Sequence, residues 1–145
     1  MNTNKKTVEM QDRKAVLSTL WIFLAVNYIY CDLLSHMEPA VLRELITTGT
    51  LGSIQVTQVF LLSAAILLEI PFAMILLSRV LPYRVNRWAN IIAGAVMALV
   101  QVGTMGMGTP PTLHYLFYSA IEVACNLFIV CYAWMWRNPE GESRS

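Results

Sequence analysis

Charged residues are scarce in this sequence: they make up 13% of its 145 residues, whereas 57% of the residues are apolar. A soluble globular domain usually carries about a quarter of charged residues. The few charges present here are concentrated at the ends and in short segments between apolar runs. This composition makes a soluble fold a poor alternative and predicts one integral membrane domain over residues 1–145.

Two further absences narrow the function. The three cysteines, Cys31, Cys125 and Cys131, lie inside apolar runs without CxxC spacing, which excludes a disulfide framework and a thioredoxin-type or metal motif. We therefore expect no metal and no cofactor. The sequence also lacks a patterned basic surface, so nucleic acid is excluded as a partner.

Four apolar runs, residues 16–35, 55–78, 88–107 and 113–136, are long enough to be membrane spans. About twenty residues at about 1.5 Å each cross a hydrocarbon core of about 30 Å. The first run exceeds the apolar region of a signal peptide and no small-residue cleavage site follows it, so we expect it to be retained. The segment 36–54 breaks at Pro39 and contains a short amphipathic turn over 42–46, which predicts an interfacial helix. The predicted fold is an all-α, four-helix integral membrane bundle.

The distribution of basic residues predicts the orientation of this bundle. Nine of the ten Lys and Arg residues lie in the two terminal segments and between the second and third runs, and only Arg43 lies elsewhere. Since positive residues favour the cytoplasmic side, both termini are predicted to be cytoplasmic, with the amphipathic segment in the first outer loop.

Each run also contains polar residues at helical spacing, so that they share a face of the helix. Because lipid offers these groups no hydrogen-bond partner, the four faces are predicted to converge on one interior. The candidate ligand-binding residues on these faces are Asn27, Tyr28, Asp32, Gln58, Glu69, Asn90, Tyr118, Glu122 and Asn126. In the third run, the small Gly94 is expected to allow close helix packing.

Two glutamates near the middle of their runs, Glu69 and Glu122, are the centre of this predicted interior. An ionisable group at that depth costs about 2.5 kcal/mol or more, so we expect the two to face each other and not both to be ionised at neutral pH. Asp32 is expected in a shallower layer. Tyr28, Tyr118 and Trp21 would form the aromatic walls of a pocket that opens outward. A structural alternative for Glu69 is donation to the carbonyl that Pro71 leaves unpaired.

Several segments of the sequence resemble those of a family of uncharacterised prokaryotic four-helix membrane proteins. They are NYIYCDLL, LLEIPFAMILLSRVL, YRVNRWANIIAG and IEVACNLFIVCYAWMW, one from each run. The plan of four short spans also resembles the DoxX-like and EXPERA-type bundles, which include redox accessory proteins and sterol isomerases. The resemblance implies a location in the plasma (inner) membrane of a prokaryote.

Three functional hypotheses follow, and whether the protein is an enzyme stays open. The first, which we favour, is an acid-lined cavity for a hydrophobic or amphiphilic small molecule, including a cationic one. The second is acid–base chemistry on a lipid, isoprenoid or sterol-like substrate. The third is an accessory subunit or small transporter whose acids relay protons. A roomy pocket would favour the first two and a packed core the third. Membrane lipid is the expected partner, with a small amphiphilic ligand and a second copy of the chain as further candidates.

Overall fold

The computed structural model describes residues 3–105 and 111–136, which form five helices and a short β-hairpin. The helices are α1 (Thr3–Met37), α2 (Pro39–Thr48), α3 (Gln58–Val80), α4 (Tyr83–Thr104) and α5 (Leu113–Trp134), and the strands are β1 (Thr50–Leu51) and β2 (Ile54–Gln55). Within these residues, α1, α3, α4 and α5 are long and apolar enough to cross a membrane. The prediction of four helices long and apolar enough to span a membrane is thereby confirmed.

The helix ends differ from the predicted ones for local reasons. The polar segment before residue 16 is helical from Thr3, so α1 extends well beyond its apolar run. The α3 helix begins at Gln58 because the Thr57 side chain accepts a hydrogen bond from the Phe60 N–H at 3.1 Å. The predicted basic loop after α3 shrinks to two residues, and α4 begins at Tyr83 directly after Pro82.

The segment between the first two spans is ordered by side-chain contacts. The α2 helix contains the predicted amphipathic turn and ends at Gly49, whose φ of 68° is a left-handed conformation that favours glycine. In the antiparallel hairpin that follows, Thr50 pairs with Gln55. The Glu44 carboxylate accepts from the Gly52 N–H at 2.8 Å and ties the hairpin to α2. Sequence patterning did not predict this hairpin.

The four long helices pack around a common apolar core. The α1 helix contacts α3 and α5, and α4 contacts α5 and, less extensively, α3. A hydrogen bond of 2.9 Å from the Ser18 hydroxyl to the Ile75 carbonyl joins α1 to α3. The largest buried core side chains include Leu17, Trp21, Leu24, Tyr28, Met74, Met97 and Ile129.

Basic residues collect at one end of this arrangement. Lys14 Nζ lies 3.4 Å from the Arg79 carbonyl oxygen, and the Arg13 guanidinium lies 5.3 Å from the Tyr132 ring centroid. The start of α1, the end of α3 and the end of α5 therefore meet there. Which membrane face this end occupies stays a prediction. The described residues leave out the polar tail 137–145, the end of the predicted third run at 106–107 and most of the expected breaker at 108–112.

Candidate functional site: a buried carboxyl group

The α5 helix directs one polar face into the core. Its buried residues are Ser119, Glu122, Asn126, Ile129 and Ala133, spaced three and four apart as one face of a helix requires. The remaining positions are mostly apolar and more exposed, which suits contact with lipid. The helix therefore holds Glu122 and Asn126 one turn apart on the same buried face.

Glu122 is fully buried at 0% exposure. Neither of its carboxyl oxygens has a hydrogen-bond partner among the described residues, and the Asn126 side-chain oxygen has none either. The Asn126 amide nitrogen is used: it donates to the Tyr28 hydroxyl at 2.7 Å and to the Glu122 backbone carbonyl at 2.9 Å. Three buried acceptor oxygens thus lie on one helical turn without a donor, which is rare in folded proteins.

A close helix approach sets the position of this turn. A Cβ atom added at Gly94 of α4 would lie 2.9 Å from Val130 Cγ2 and 3.3 Å from the Asn126 carbonyl oxygen. Any larger residue at this position would therefore require Val130 or the adjoining backbone of α5 to shift. The sequence-based expectation that Gly94 allows close helix packing is confirmed.

A second polar layer lies nearer the basic end, and its hydrogen bonds are complete. The Asn90 side-chain oxygen accepts from Trp21 Nε1 at 2.7 Å and from the Ser78 hydroxyl at 3.2 Å. The Asn90 amide nitrogen donates to the Asn86 side-chain oxygen at 2.7 Å, and the Asn86 amide nitrogen donates to the Ser78 carbonyl at 2.6 Å. This network of hydrogen bonds holds α1, α3 and α4 together, which is a structural role.

The predicted site residues separate into two groups. Tyr28, Glu122 and Asn126 come together in the core, while the buried Asn90 belongs to the second layer. Asn27 is also buried, but its amide donates at 2.8 Å to the Phe23 carbonyl of its own helix. The other residues do not enter the core: Asp32, Gln58 and Glu69 are exposed, and Tyr118 is half-buried.

The structure places Glu69 differently from its predicted position in the interior. The expectation that it faces Glu122 across the interior is wrong, because α3 packs through Pro71, Met74 and Ser78 and leaves Glu69 exposed. At about 100° per residue, Glu69 lies about 160° around the helix from Pro71. The predicted stripe of Gln58, Leu62, Ala65 and Glu69 does share one face of α3, but that face points away from the core.

The expected outward-opening pocket is not supported either. Trp21, assigned to a pocket wall, is fully buried and bonded to Asn90, and the neighbouring Leu24 and Ile129 are fully buried as well. The groove of about 1000 Å³ that the structure shows lies between the start of α4 and the end of α5, and Glu122 does not line it. The core around Glu122 is packed.

Sequence reasoning missed Asn86, Ser78 and Ser119 as interior residues. Ser119 accepts from the Gln101 amide nitrogen at 2.7 Å and forms a polar contact between α4 and α5. Asn86 lies between the second and third apolar runs, where the sequence predicts a loop. The four-residue spacing of Asn86 and Asn90 was the available signal, since it places both on one face of a helix.

Four apolar helices around a buried carboxyl group give the chain the build of an integral membrane protein. It belongs to a family of unknown function, DUF6326, whose model matches residues 5–143. The expected membership of an uncharacterised family is thereby confirmed, whereas the likeness to DoxX-like and EXPERA-type bundles is not shown. No curated protein and no solved structure matches the chain.

Proposed function

We propose that this protein is a proton-linked integral membrane protein in which Glu122 takes up and releases a proton inside the packed interior. The observation that supports this proposal is the full burial of Glu122 with both carboxyl oxygens unpartnered. This function corresponds to the proton-relaying transporter or accessory subunit, the third hypothesis drawn from the sequence.

A proton is the simplest addition that corrects the hydrogen bonding of this site. A buried bare carboxylate costs several kcal/mol, on the order of the penalty for any unpaired ion. A neutral carboxyl group instead supplies one O–H donor. The unpartnered Asn126 side-chain oxygen is an acceptor one turn along the same face. Protonation therefore removes the charge and provides the donor that this turn lacks.

A purely structural role explains Glu122 less well than it explains the neighbouring polar residues. Asn90 connects three helices through a complete set of hydrogen bonds. Glu122 connects none through its side chain, because its oxygens have no partner among the described residues. The packed core around it also favours a proton over the amphiphilic molecule that we expected from the sequence.

A route for the proton can be drawn along α1. Asp32 is exposed near the end of α1, and Tyr28, which is 6% exposed, lies one turn deeper. The Tyr28 hydroxyl oxygen accepts from Asn126, so its own O–H is left to donate. Asp32, Tyr28 and the Glu122–Asn126 turn thus form a sequence of titratable and hydrogen-bonding groups from the surface to the core, as proton relays require.

Infrared spectroscopy of the protein in lipid, recorded over a pH series, tests the proton site. We expect a protonated carboxyl band that titrates in the wild type and is missing in Glu122→Gln. Glu69→Gln is the matched control, because it removes an exposed carboxyl group from another span, and it should leave this band in place. An unchanged band in Glu122→Gln would refute the assignment.

Proton flux is the second measurement. Proteoliposomes loaded with a pH-sensitive dye and given a membrane potential should lose an imposed pH gradient faster than empty liposomes. Glu122→Gln should abolish that difference, while Glu69→Gln should not. If the wild type carries no flux but the infrared band titrates, the protein is an accessory subunit and not a transporter.

The membrane location is also part of the proposal. We place the protein in the plasma (inner) membrane of a prokaryote, with both termini and the start of α4 in the cytoplasm. The gathering of Arg13, Lys14 and Arg79 at one end supports this orientation. In intact cells, an impermeant thiol reagent should label Thr48→Cys and spare Arg84→Cys. The reverse pattern would overturn the orientation.

A further inference from the structure

A groove at the basic end of the protein has the character of a binding site for an anion. It has a volume of about 1000 Å³ and lies between the first turns of α4 and the last turn of α5. Arg84 and Arg87 line it together with Trp88, Trp134 and Trp136. The folding of α4 against α5 thus places the two arginines beside the exposed rings of Trp88 and Trp134.

The arginines of this groove have hydrogen-bond donors to spare. Arg87 donates from Nη2 to the Trp134 carbonyl at 2.9 Å, and its guanidinium lies 5.7 Å from the Trp134 ring centroid. Its Nε is buried and has no acceptor among the described residues. Arg84 is exposed, and the ion pair between Arg13 and Glu9 is the only one in the described part of the chain. Neither groove arginine is therefore neutralised by a carboxylate there.

The start of α4 adds to this positive character. The N-cap residue is Pro82, which provides no side-chain acceptor for the first N–H groups of the helix. The exposed N–H groups and the helix dipole make a helix start attractive to anions. An acidic residue in the first turn would normally offset this field, but the first turn of α4 has none. Arginine in a forked, bidentate geometry is well suited to phosphate oxygens.

The other side of the groove suits an apolar chain. Trp88 and Trp134 are more than half exposed and meet edge to face at 6.4 Å between ring centroids. Tryptophan is enriched where a protein surface passes from hydrocarbon to headgroup. A ligand that reaches both the arginines and these rings therefore needs an anionic head and a hydrocarbon tail.

We propose that this groove binds the phosphate of an anionic phospholipid, with Arg84 and Arg87 at the headgroup and Trp88 and Trp134 beside the acyl chains. The recognising chemistry is that of a phosphate ester, which a soluble phosphate compound also offers. The tryptophans at the hydrocarbon boundary favour the lipid as its source. This site is separate from Glu122 and does not depend on the proposed proton function.

The test compares added lipids by thermal unfolding of the purified full chain in detergent. Phosphatidylglycerol should raise the melting temperature, whereas phosphatidylcholine with the same acyl chains and inorganic phosphate should not. Native mass spectrometry should show phosphatidylglycerol retained in preference to phosphatidylcholine. If inorganic phosphate stabilises the protein as much as phosphatidylglycerol, the lipid assignment is overturned. Equal stabilisation by phosphatidylcholine overturns anion recognition altogether.

Two variants locate the effect. Arg84→Gln removes an exposed charge that makes no hydrogen bond within the described chain, so the protein should fold normally and lose at least half of the shift caused by phosphatidylglycerol. Arg43→Gln, an exposed arginine on α2, is the matched control and should keep the full shift. If Arg84→Gln also keeps it, the groove is not the binding site. Arg87 is unsuitable as the primary variant because it also holds the Trp134 carbonyl.

Discussion

The core around Glu122 and the groove beside Arg84 contain opposite kinds of unsatisfied polar groups. In the core, three acceptor oxygens of Glu122 and Asn126 have no donor among the described residues. In the groove, the arginine donors have no carboxylate acceptor in the described part of the chain. One site is fully closed and the other is open to its surroundings over a volume of about 1000 Å³.

This comparison shows that the access to each site decides which ligand can satisfy its unpaired polar groups. A packed core admits a proton, which needs no room, but it does not admit a molecule with a hydrocarbon chain. An open groove at the end of the helices admits a whole headgroup. We expected from the sequence that a single interior would combine acids, aromatic walls and a ligand, whereas the structure places the acid and the open groove in different parts of the protein.

The α4 and α5 helices approach closely at Gly94, and we expect replacement of Gly94 to have the largest effect on the free energy of unfolding. Gly94→Val places methyl groups against Val130 and the Asn126 carbonyl, so the free energy of unfolding should fall by about 2–3 kcal/mol. Glu122 should then react with a carbodiimide that spares it in the wild type. Gly103→Val is the control, because a Cβ at Gly103 meets no atom within 4 Å. An equal fall in the free energy of unfolding of both variants would mean that the close helix packing at Gly94 does not protect the core.

Disruption of the hydrogen-bond network around Asn90 should cause the second-largest fall in the free energy of unfolding. Asn90→Leu leaves the Trp21 N–H and the Ser78 hydroxyl without their acceptor, so the free energy of unfolding should fall by about 1–2 kcal/mol. Asn27→Leu removes a bond within α1 only and should cost less than half as much. Chemical unfolding in micelles measures both. A larger loss in Asn27→Leu would contradict the structural role of the Asn90 network.

Replacement of Glu122 should change the free energy of unfolding by less than either of these and in the opposite direction. Since the Glu122 carboxyl group is buried without a partner among the described residues, Glu122→Met should raise the free energy of unfolding by about 1 kcal/mol at a pH where that group is ionised, while proton binding is lost. Arg84→Gln without added lipid should change it by less than about 0.5 kcal/mol, because that charge is exposed. If Glu122→Met is less stable than the wild type at that pH, the ionised carboxyl group makes a stabilising contact and its description as unpartnered is wrong.

Much of the architecture could be predicted because it depends on local properties of the sequence. The lengths of the apolar runs predicted four spans, and the helical period placed Glu122 and Asn126 on one buried face with Tyr28 on the facing helix. The size of Gly94 predicted the close approach of two helices. Each of these inferences needs only a span length, a helical period or a side-chain volume.

The orientation of α3 could not be predicted in the same way. Periodicity shows that Gln58 and Glu69 share a face, but it does not show whether that face is packed. We assigned it to the core because a carboxyl group is costly in lipid. In the structure the opposite face of α3 is the packed one, because Met74 and Ser78 contact the other helices.

The groove required tertiary information. Arg84 and Arg87 read as residues of a basic loop, although α4 begins before them at Tyr83. The groove forms only because the end of α5 returns to the start of α4, where the Tyr83 hydroxyl donates to the Trp136 carbonyl at 2.6 Å. These two residues are 53 positions apart in the sequence, so their contact could not be predicted from helical periodicity.

The exposed Glu69 has a consequence for how the protein enters the membrane. An acid at the centre of a helix costs about 2.5–3.5 kcal/mol on insertion scales, whereas each Leu, Ile, Phe or Val returns about 0.3–0.6 kcal/mol. The α3 helix contains thirteen such residues, and its mean hydropathy of 2.4 is the highest of the four spans. It can therefore leave the translocation machinery for the lipid phase alone, carrying its carboxyl group, before α4 and α5 have been synthesised.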